Sequence, residues 1–201
     1  MLALIDYGAG NLTSVRKGFA AVGASLFTPT APDQIERSTG IIVPGVGNFA
    51  ATAAIHDEWR AAIDAAVQRG QPLLGICLGL QWLFDGSDEA EGIRGLGVIP
   101  GRCTRLPRAD GIKVPHVGWN TLAPIRRARL LDGIDEAVSV YFTHAYAAPV
   151  TSACVATSTH GATFAAVVEA GNVFGVQFHP EKSGDAGLRI LRNFVEVSSA
   201  R

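Results

Sequence analysis

The chain reads as an α/β protein, a mostly parallel sheet flanked by helices with an additional region of antiparallel strands. Three observations predict this. Short apolar or β-branched runs alternate with amphipathic helical stretches through the first half. The run at 73–76, Leu-Leu-Gly-Ile, is almost continuously apolar, as a strand covered by helices on both faces should be. From about Ile93 onward the strand-like runs become shorter and are punctuated by glycine and proline, which is the texture of antiparallel pairing.

Taken in order, residues 2–5 form the first strand, and Asn11 caps a helix whose apolar residues Leu12, Val15, Phe19 and Val22 recur at helical spacing until Gly23. Strands follow at 25–28 and 40–43. Trp59, Ile63 and Val67 then mark a second amphipathic helix, closed by Gly70, before the strand at 73–76. Strand, helix and parallel strand imply right-handed crossovers. The second half offers strands at 138–142, 153–157, 164–168 and 173–178, and a last helix at 187–197 that sets Leu188, Leu191 and Val195 against the sheet. No repeat or linker divides the sequence, so one domain over 1–201 is expected.

A chain of 201 residues, 48% hydrophobic and 17% charged, can bury one sizeable core. A net charge of -1 supplies no basic field for phosphates, which counts against a nucleic-acid partner. The N-terminus lacks the basic start of a signal peptide, and no run reaches the ~18 apolar residues that span a bilayer. The expectation is a cytoplasmic protein with no membrane partner. Cys77, Cys103 and Cys154 are three widely spaced cysteines, fitting neither a disulfide framework nor a metal site, and no metal or cofactor is expected.

Three short segments carry chemistry. Gly75-Ile76-Cys77-Leu78-Gly79, where a buried strand ends and a helix begins, has the form of a nucleophile elbow with Cys in place of Ser. Glycines two residues to either side relieve crowding in so tight a turn, and a helix N-terminus favours the thiolate. Taken alone, Cys77 is equally a small buried hydrophobe, the reading that Cys103 and Cys154 receive. In Gln177-Phe178-His179-Pro180-Glu181, residues i and i+2 of an extended segment share a face, so Glu181 can orient His179 as a base. Alone, this pair is also an ordinary surface ion pair. Pro44-Gly45-Val46-Gly47-Asn48 can turn the Val46 N–H inward, with Gly45 and Gly47 giving freedom, to form an oxyanion hole with the N–H of Leu78; it is otherwise a tight βα turn. All three follow presumed strand C-termini, where open α/β folds place their sites.

Together, Gly75-Ile76-Cys77-Leu78-Gly79-Leu80-Gln81 and Gly175-Val176-Gln177-Phe178-His179-Pro180-Glu181 closely resemble the two signatures of class I glutamine amidotransferases. The resemblance implies a flavodoxin-like α/β fold, a Cys77-His179-Glu181 triad, and hydrolysis of glutamine to glutamate and ammonia through a γ-glutamyl thioester. Further segments, Asp6-Tyr7-Gly8-Ala9-Gly10-Asn11-Leu12, Lys113-Val114-Pro115-His116-Val117-Gly118-Trp119-Asn120 and Tyr141-Phe142-Thr143-His144-Ala145-Tyr146, are similar to members of the family that pass ammonia to a (β/α)8-barrel cyclase. That similarity implies a heterodimer. It makes Gln81, Glu89, Ala145 and Tyr146 candidates for holding glutamine, Asn11, Pro115, Trp119 and Lys182 candidates for the partner-facing surface, and Tyr141 a candidate gate. Trp119 is also open to core packing, and His116 and His144, lacking a carboxylate at i+2, read as structural. Two alternatives remain: a glutaminase of another synthase in the same family, and a non-catalytic protein with a reactive cysteine on a similar fold.

Overall fold

The structure, a computed structural model, describes residues 1–108 and 111–200; Ala109, Asp110 and Arg201, which belong to the expected 1–201 domain, lie outside the described residues. The first elements are β1 (Leu2–Leu4), α1 (Leu12–Ala21), β2 (Leu26–Phe27), β3 (Ile41–Val43), α2 (Asp57–Gln68), β4 (Leu73–Ile76) and α3 (Leu78–Trp82). There follow β5 (Gly86–Ser87), β6 (Arg102–Arg105), β7 (His116–Thr121), β8 (Ala123–Pro124), β9 (Ser139–His144) and β10 (Tyr146–Ala147). The chain closes with β11 (Cys154–His160), β12 (Ala162–Ala170), β13 (Val173–Val176) and α4 (Gly184–Ser199).

The main sheet runs β2-β1-β3-β4-β13-β12-β11-β8. From β2 through β13 the neighbours are parallel, and from β13 through β8 they are antiparallel. The place of β13 corrects the sequence expectation, which put 173–178 in the antiparallel region. A two-residue hairpin at Gly171-Asn172, with Gly171 at φ 58°, turns β12 back on itself and lays β13 parallel to β4, with Gly175 opposite Gly75 and Val176 opposite Ile76. The glycine at 175 matters here, since a Cβ would stand 2.9 Å from Val168 and 3.0 Å from Leu80.

Strand alternation divides the core between the two sheet faces. Ile42, Leu74, Ile76 and Phe174 turn toward α1 and α4, where they meet Val15, Phe19, Ile190 and Phe194. Ile41, Val43, Leu73 and Val173 turn the other way, toward Ile35, Ile63 and Ala66. Asn11 caps α1 as expected, its side-chain oxygen accepting from the Ser14 N–H at 3.1 Å. Asp57 and Glu58 occupy the first turn of α2, where they favour the positive end of its dipole. On α4 the buried residues are Gly187, Ile190, Leu191, Asn193, Phe194 and Ser198, so only Leu191 of the expected stripe is fully buried. Ile190 and Phe194 fill the centre of the face, with Val195 partly buried at its margin and Leu188 outside it, because the helix docks on Phe19 and Phe174.

Outside the main sheet, β7 and β9 form an antiparallel ribbon in which His116 faces His144 and Trp119 faces Tyr141, and β10-β6-β5 form a small sheet. Among the described residues no helix is long and apolar enough to cross a membrane. Phe194 is fully buried, with ring centroids 6.5 Å from Phe19 and 5.9 Å from Phe174. Phe194→Ala should therefore cost about 3–5 kcal/mol of stability in denaturant unfolding.

Candidate active site

Three adjacent parallel strands, β3, β4 and β13, end on one edge of the sheet, and the residues that follow them converge there. After β4, Cys77 adopts φ 54° and ψ -104°, a conformation that L-residues rarely occupy. Its N–H donates to the Val176 carbonyl at 2.8 Å and its carbonyl accepts from the Gln81 N–H at 3.2 Å. The flanking glycines are required by contact: a Cβ on Gly79 would fall 1.8 Å from the Val43 carbonyl oxygen, and one on Gly75 2.5 Å from the Gly79 oxygen. Helix α3 is only five residues long, so its dipole offers the sulfur less than the sequence reading assumed.

After β13, His179 Nδ1 lies 2.8 Å from Glu181 Oε1, both side chains being nearly inaccessible to solvent. The two meet through a different local geometry from the extended segment expected. Pro180 starts a short 3-10 turn, Pro180–Lys182, for which its fixed φ is suited, and that turn folds Glu181 back under the ring. Gly18 on α1 makes room for the carboxylate, since a Cβ there would lie 3.1 Å from the Glu181 Cβ. The His179 N–H is anchored to the Tyr141 carbonyl at 2.9 Å, and Ser183 Oγ joins the two segments by donating to the His179 carbonyl and accepting from the Tyr141 N–H.

Burial by itself would lower the His179 pKa, but the neighbouring Cys77 sulfur and the Glu181 carboxylate bonded at Nδ1 outweigh it and raise the imidazole to about 10. An imidazolium between sulfur and carboxylate is the state this favours. The Cys77 thiol also lies 3.9 Å from the Thr143 carbonyl and 3.7 Å from Gln177 Nε2.

Next to Cys77 is a cavity of about 40 Å3 lined by Gly47, Leu78, Gln81, Glu89, Thr143, His144, Ala145 and Tyr146. All four candidate glutamine-holding residues therefore sit around the sulfur. At ~10–15 Å3 per water the cavity has room for about three waters, so a glutamine side chain enters only if the wall moves. Glu89 Oε2 already accepts the Phe49 N–H at 2.8 Å, and Gln81 Nε2 donates to the Tyr146 carbonyl at 2.8 Å. After β3, the turn at 44–47 engages the Leu78 N–H in this conformation. The Leu78 N–H donates to the Gly45 carbonyl at 3.3 Å, so a turn-peptide oxygen occupies the place where an anion would sit. Gly45, which precedes that peptide, carries no Cβ to oppose its reversal, and Gly47 stands at φ 96° one residue further on.

With this geometry in hand, comparison with known proteins is direct. The family model described as glutamine amidotransferase class-I matches residues 3–197. The chain belongs to the class-I glutamine amidotransferases. It is 43% identical to imidazole glycerol phosphate synthase subunit HisH of Methanothermobacter thermautotrophicus, over 100% of both chains. It is 47% identical to the protein of the same name from Natronomonas pharaonis, covering 100% of this chain and 96% of that one. Among solved structures, a glutamine amidotransferase crystal structure superposes with a TM-score of 0.76 at 18% identity, covering 98% of this chain and 99% of the other. PurLQS from Thermotoga maritima superposes equally well, at 0.76 and 18%, over 97% of each chain. At such identity these last two speak for the fold alone.

Within this amidotransferase the candidate partner-facing residues are largely exposed. Trp119 is 59% exposed, which excludes core packing. Its ring meets Tyr141 edge-on at 6.1 Å, and the Lys182 ammonium lies 5.9 Å from the Tyr141 ring centre. Pro115 is exposed at the entry to the same ribbon, and Asn11 lies across the site beside Val46, His179 and Glu181. Among the described residues no cluster of three or more His, Cys, Asp or Glu is placed to hold a metal ion. Tyr7 escaped the sequence reading: its hydroxyl is buried without a partner and lies where a Gly45 Cβ would be, 2.1 Å away, while burial and then the charge on Cys77 push its pKa up.

His116 and His144 are buried in a fixed chain. His144 Nδ1 must carry hydrogen to donate to the Tyr146 carbonyl at 2.9 Å, so its Nε2 accepts from His116 Nδ1 at 3.1 Å, and His116 Nε2 accepts from Asn120 at 3.3 Å. Burial first, and neighbouring imidazoles second, lower His116 to about 4; for His144 burial is again the largest cause and the value is about 3. Below the unfolded value of about 6.5 the unfolded imidazoles bind protons that the folded ones refuse. Stability should thus fall as pH drops from about 6.5 toward 4, in denaturant midpoints measured across that range, and His116→Gln should flatten the slope.

Proposed function

We propose that this chain is the glutaminase subunit of an imidazole glycerol phosphate synthase in histidine biosynthesis, a cytoplasmic protein acting as a heterodimer. It hydrolyses L-glutamine to L-glutamate and ammonia. The ammonia passes to a (β/α)8-barrel cyclase subunit, which forms imidazole glycerol phosphate and aminoimidazole carboxamide ribotide. The observation that carries the reading is one buried imidazole bonded to the Glu181 carboxylate at Nδ1, with its Nε2 unpaired among the described residues and the Cys77 sulfur close enough to raise its pKa, beside a cavity that Cys77 lines. Relatives 43–47% identical over nearly the full length, both named as imidazole glycerol phosphate synthase subunits, support the choice of synthase.

In this reading the Cys77 sulfur attacks the glutamine side-chain carbonyl, and the electron pair moves to its oxygen. Collapse expels ammonia with a proton from His179, leaving a thioester. Water, deprotonated by His179, then attacks that thioester, and the thiolate departs as glutamate forms. Glu181 keeps one imidazole tautomer and stabilises the imidazolium. Gln81, Glu89 and the backbone at Ala145 and Tyr146 hold the substrate's polar ends.

The oxyanion needs two N–H donors, from Val46 and Leu78, and rotation of the Gly45-Val46 peptide supplies both at once. It withdraws the Gly45 carbonyl from Leu78 and turns the Val46 N–H inward. A resting turn of this kind keeps glutamine from being hydrolysed to no purpose. Trp119, Tyr141, Lys182, Pro115 and Asn11 form the surface where the cyclase docks and ammonia leaves. Ammonia released into neutral water is protonated and no longer nucleophilic, so water must be excluded along the way.

Cys77→Ala should abolish glutamine-dependent synthesis by the assembled complex and leave synthesis from added ammonium salt intact; normal glutamate release by the variant would refute the nucleophile. Wild-type glutaminase activity should be low for this chain alone and rise at least about tenfold with the cyclase and its nucleotide ligand, the ratio expected when ~1.4 kcal/mol favours the rotated turn. Equal rates would refute gating at residues 44–47.

A further inference from the structure

Gln177, immediately after β13, is fully buried, and the roles proposed above make no use of its side chain. Its orientation is fixed by a chain of one-way hydrogen bonds. The chain starts at the Tyr146 backbone carbonyl, which can only accept. His144 Nδ1 and Gln81 Nε2 both point at that oxygen, at 2.9 and 2.8 Å. The same Gln81 NH2 group lies 3.3 Å from Gln177 Oε1, which makes that atom of Gln177 the acceptor. The other end of the carboxamide is then an NH2, and it lies 3.7 Å from Cys77 Sγ. The larger radius of sulfur makes this a hydrogen-bond distance.

We propose that Gln177 is a second donor to the Cys77 sulfur, independent of His179, which stabilises negative charge on that sulfur as it attacks and again as the thioester breaks. This rests on Cys77 being the nucleophile. The need for a second donor follows from the burial of the site. Cys77 is 4% exposed, so water supplies little solvation to an anionic sulfur, and its other neighbour, the Thr143 carbonyl at 3.9 Å, offers only an acceptor. His179 cannot serve throughout, because the reaction takes its proton to the departing ammonia and later requires it as a base toward water. An amide N–H does not titrate, and so stays in place through both half-reactions. The chain also ties the sulfur to the cavity wall, since Gln81 and Tyr146 line the cavity.

The test is the pH dependence of Cys77 alkylation by iodoacetamide in the full chain, followed by mass spectrometry, which reads the thiolate and not the turnover. Gln177→Met keeps the length and removes the donor; Gln177→Glu keeps an acceptor for Gln81 and places negative charge by the sulfur. The titration midpoint of the thiol should rise by about one unit in the Met variant, and further in the Glu variant. Glutamine hydrolysis by the assembled complex should lose about tenfold in kcat, with a smaller change in KM. A wild-type alkylation profile in either variant that folds, as judged by its unfolding transition, overturns the proposal, even if KM rises, because that outcome marks a merely structural residue. Cys77→Ala separates the two claims. Retained glutaminase activity in that variant would sink the nucleophile, while a shifted alkylation profile in Gln177→Met would still report the contact.

Discussion

Cys77 holds its backbone at φ 54° and ψ -104°, and the conformation survives because every neighbour is arranged to permit it. Strain of this kind costs on the order of 1–3 kcal/mol and persists only where the surroundings leave the chain no alternative. Here β4 lies between β3 and β13 near the middle of the sheet, with the Cys77 N–H bonded to β13 and Gly79 pressed against the Val43 carbonyl of β3. The two strands that enforce the turn also deliver its partners. The strand β3 leads into the peptide that blocks the Leu78 N–H, and β13 leads into Gln177, His179 and Glu181. Positioning and chemistry thus share one cause, the parallel register of three short strands.

Around that turn, two buried histidines are driven in opposite directions. His144 is lowered to about 3 and His179 raised to about 10. Burial opposes the charged form in both. The difference lies in what faces each ring. His179 stands between a sulfur and a carboxylate, which reward a positive charge, whereas His144 faces a backbone carbonyl and a second imidazole, which exhaust its hydrogen-bonding capacity in the neutral form. One small site therefore contains an imidazole held charged and another held neutral in the cavity wall.

The strands of the first half, the helix after Asn11 and the helix closed by Gly70 were legible because each has a local cause in periodicity, capping or a glycine with positive φ. The pairing of His179 with Glu181 was legible from spacing, although the geometry behind it was not: an extended His179 followed by a proline-initiated 3-10 turn folds the carboxylate back onto the ring. The buried face of α4 was misjudged at Leu188, since a helix with apolar residues on several sides gives no local sign of which side will meet Phe19 and Phe174. Tyr7 and Gln177 stood inside quoted motifs and still could not be assigned, because a buried hydroxyl or carboxamide acquires meaning only from what lies opposite it.

By itself the sequence determined the α/β class, the elbow with its obligatory glycines, and the residues proposed as nucleophile, base and orienter, because these depend on contacts within a few residues. The tertiary structure decided that β13 runs parallel beside β4, which brings Cys77 and His179 together from a hundred residues apart. It also decided that Trp119 faces outward, that Gln177 points its NH2 at the sulfur, and that the Gly45 carbonyl occupies the Leu78 amide. Each of these is a choice between orientations that are nearly equal in local energy. Only the packing of distant segments makes them unequal.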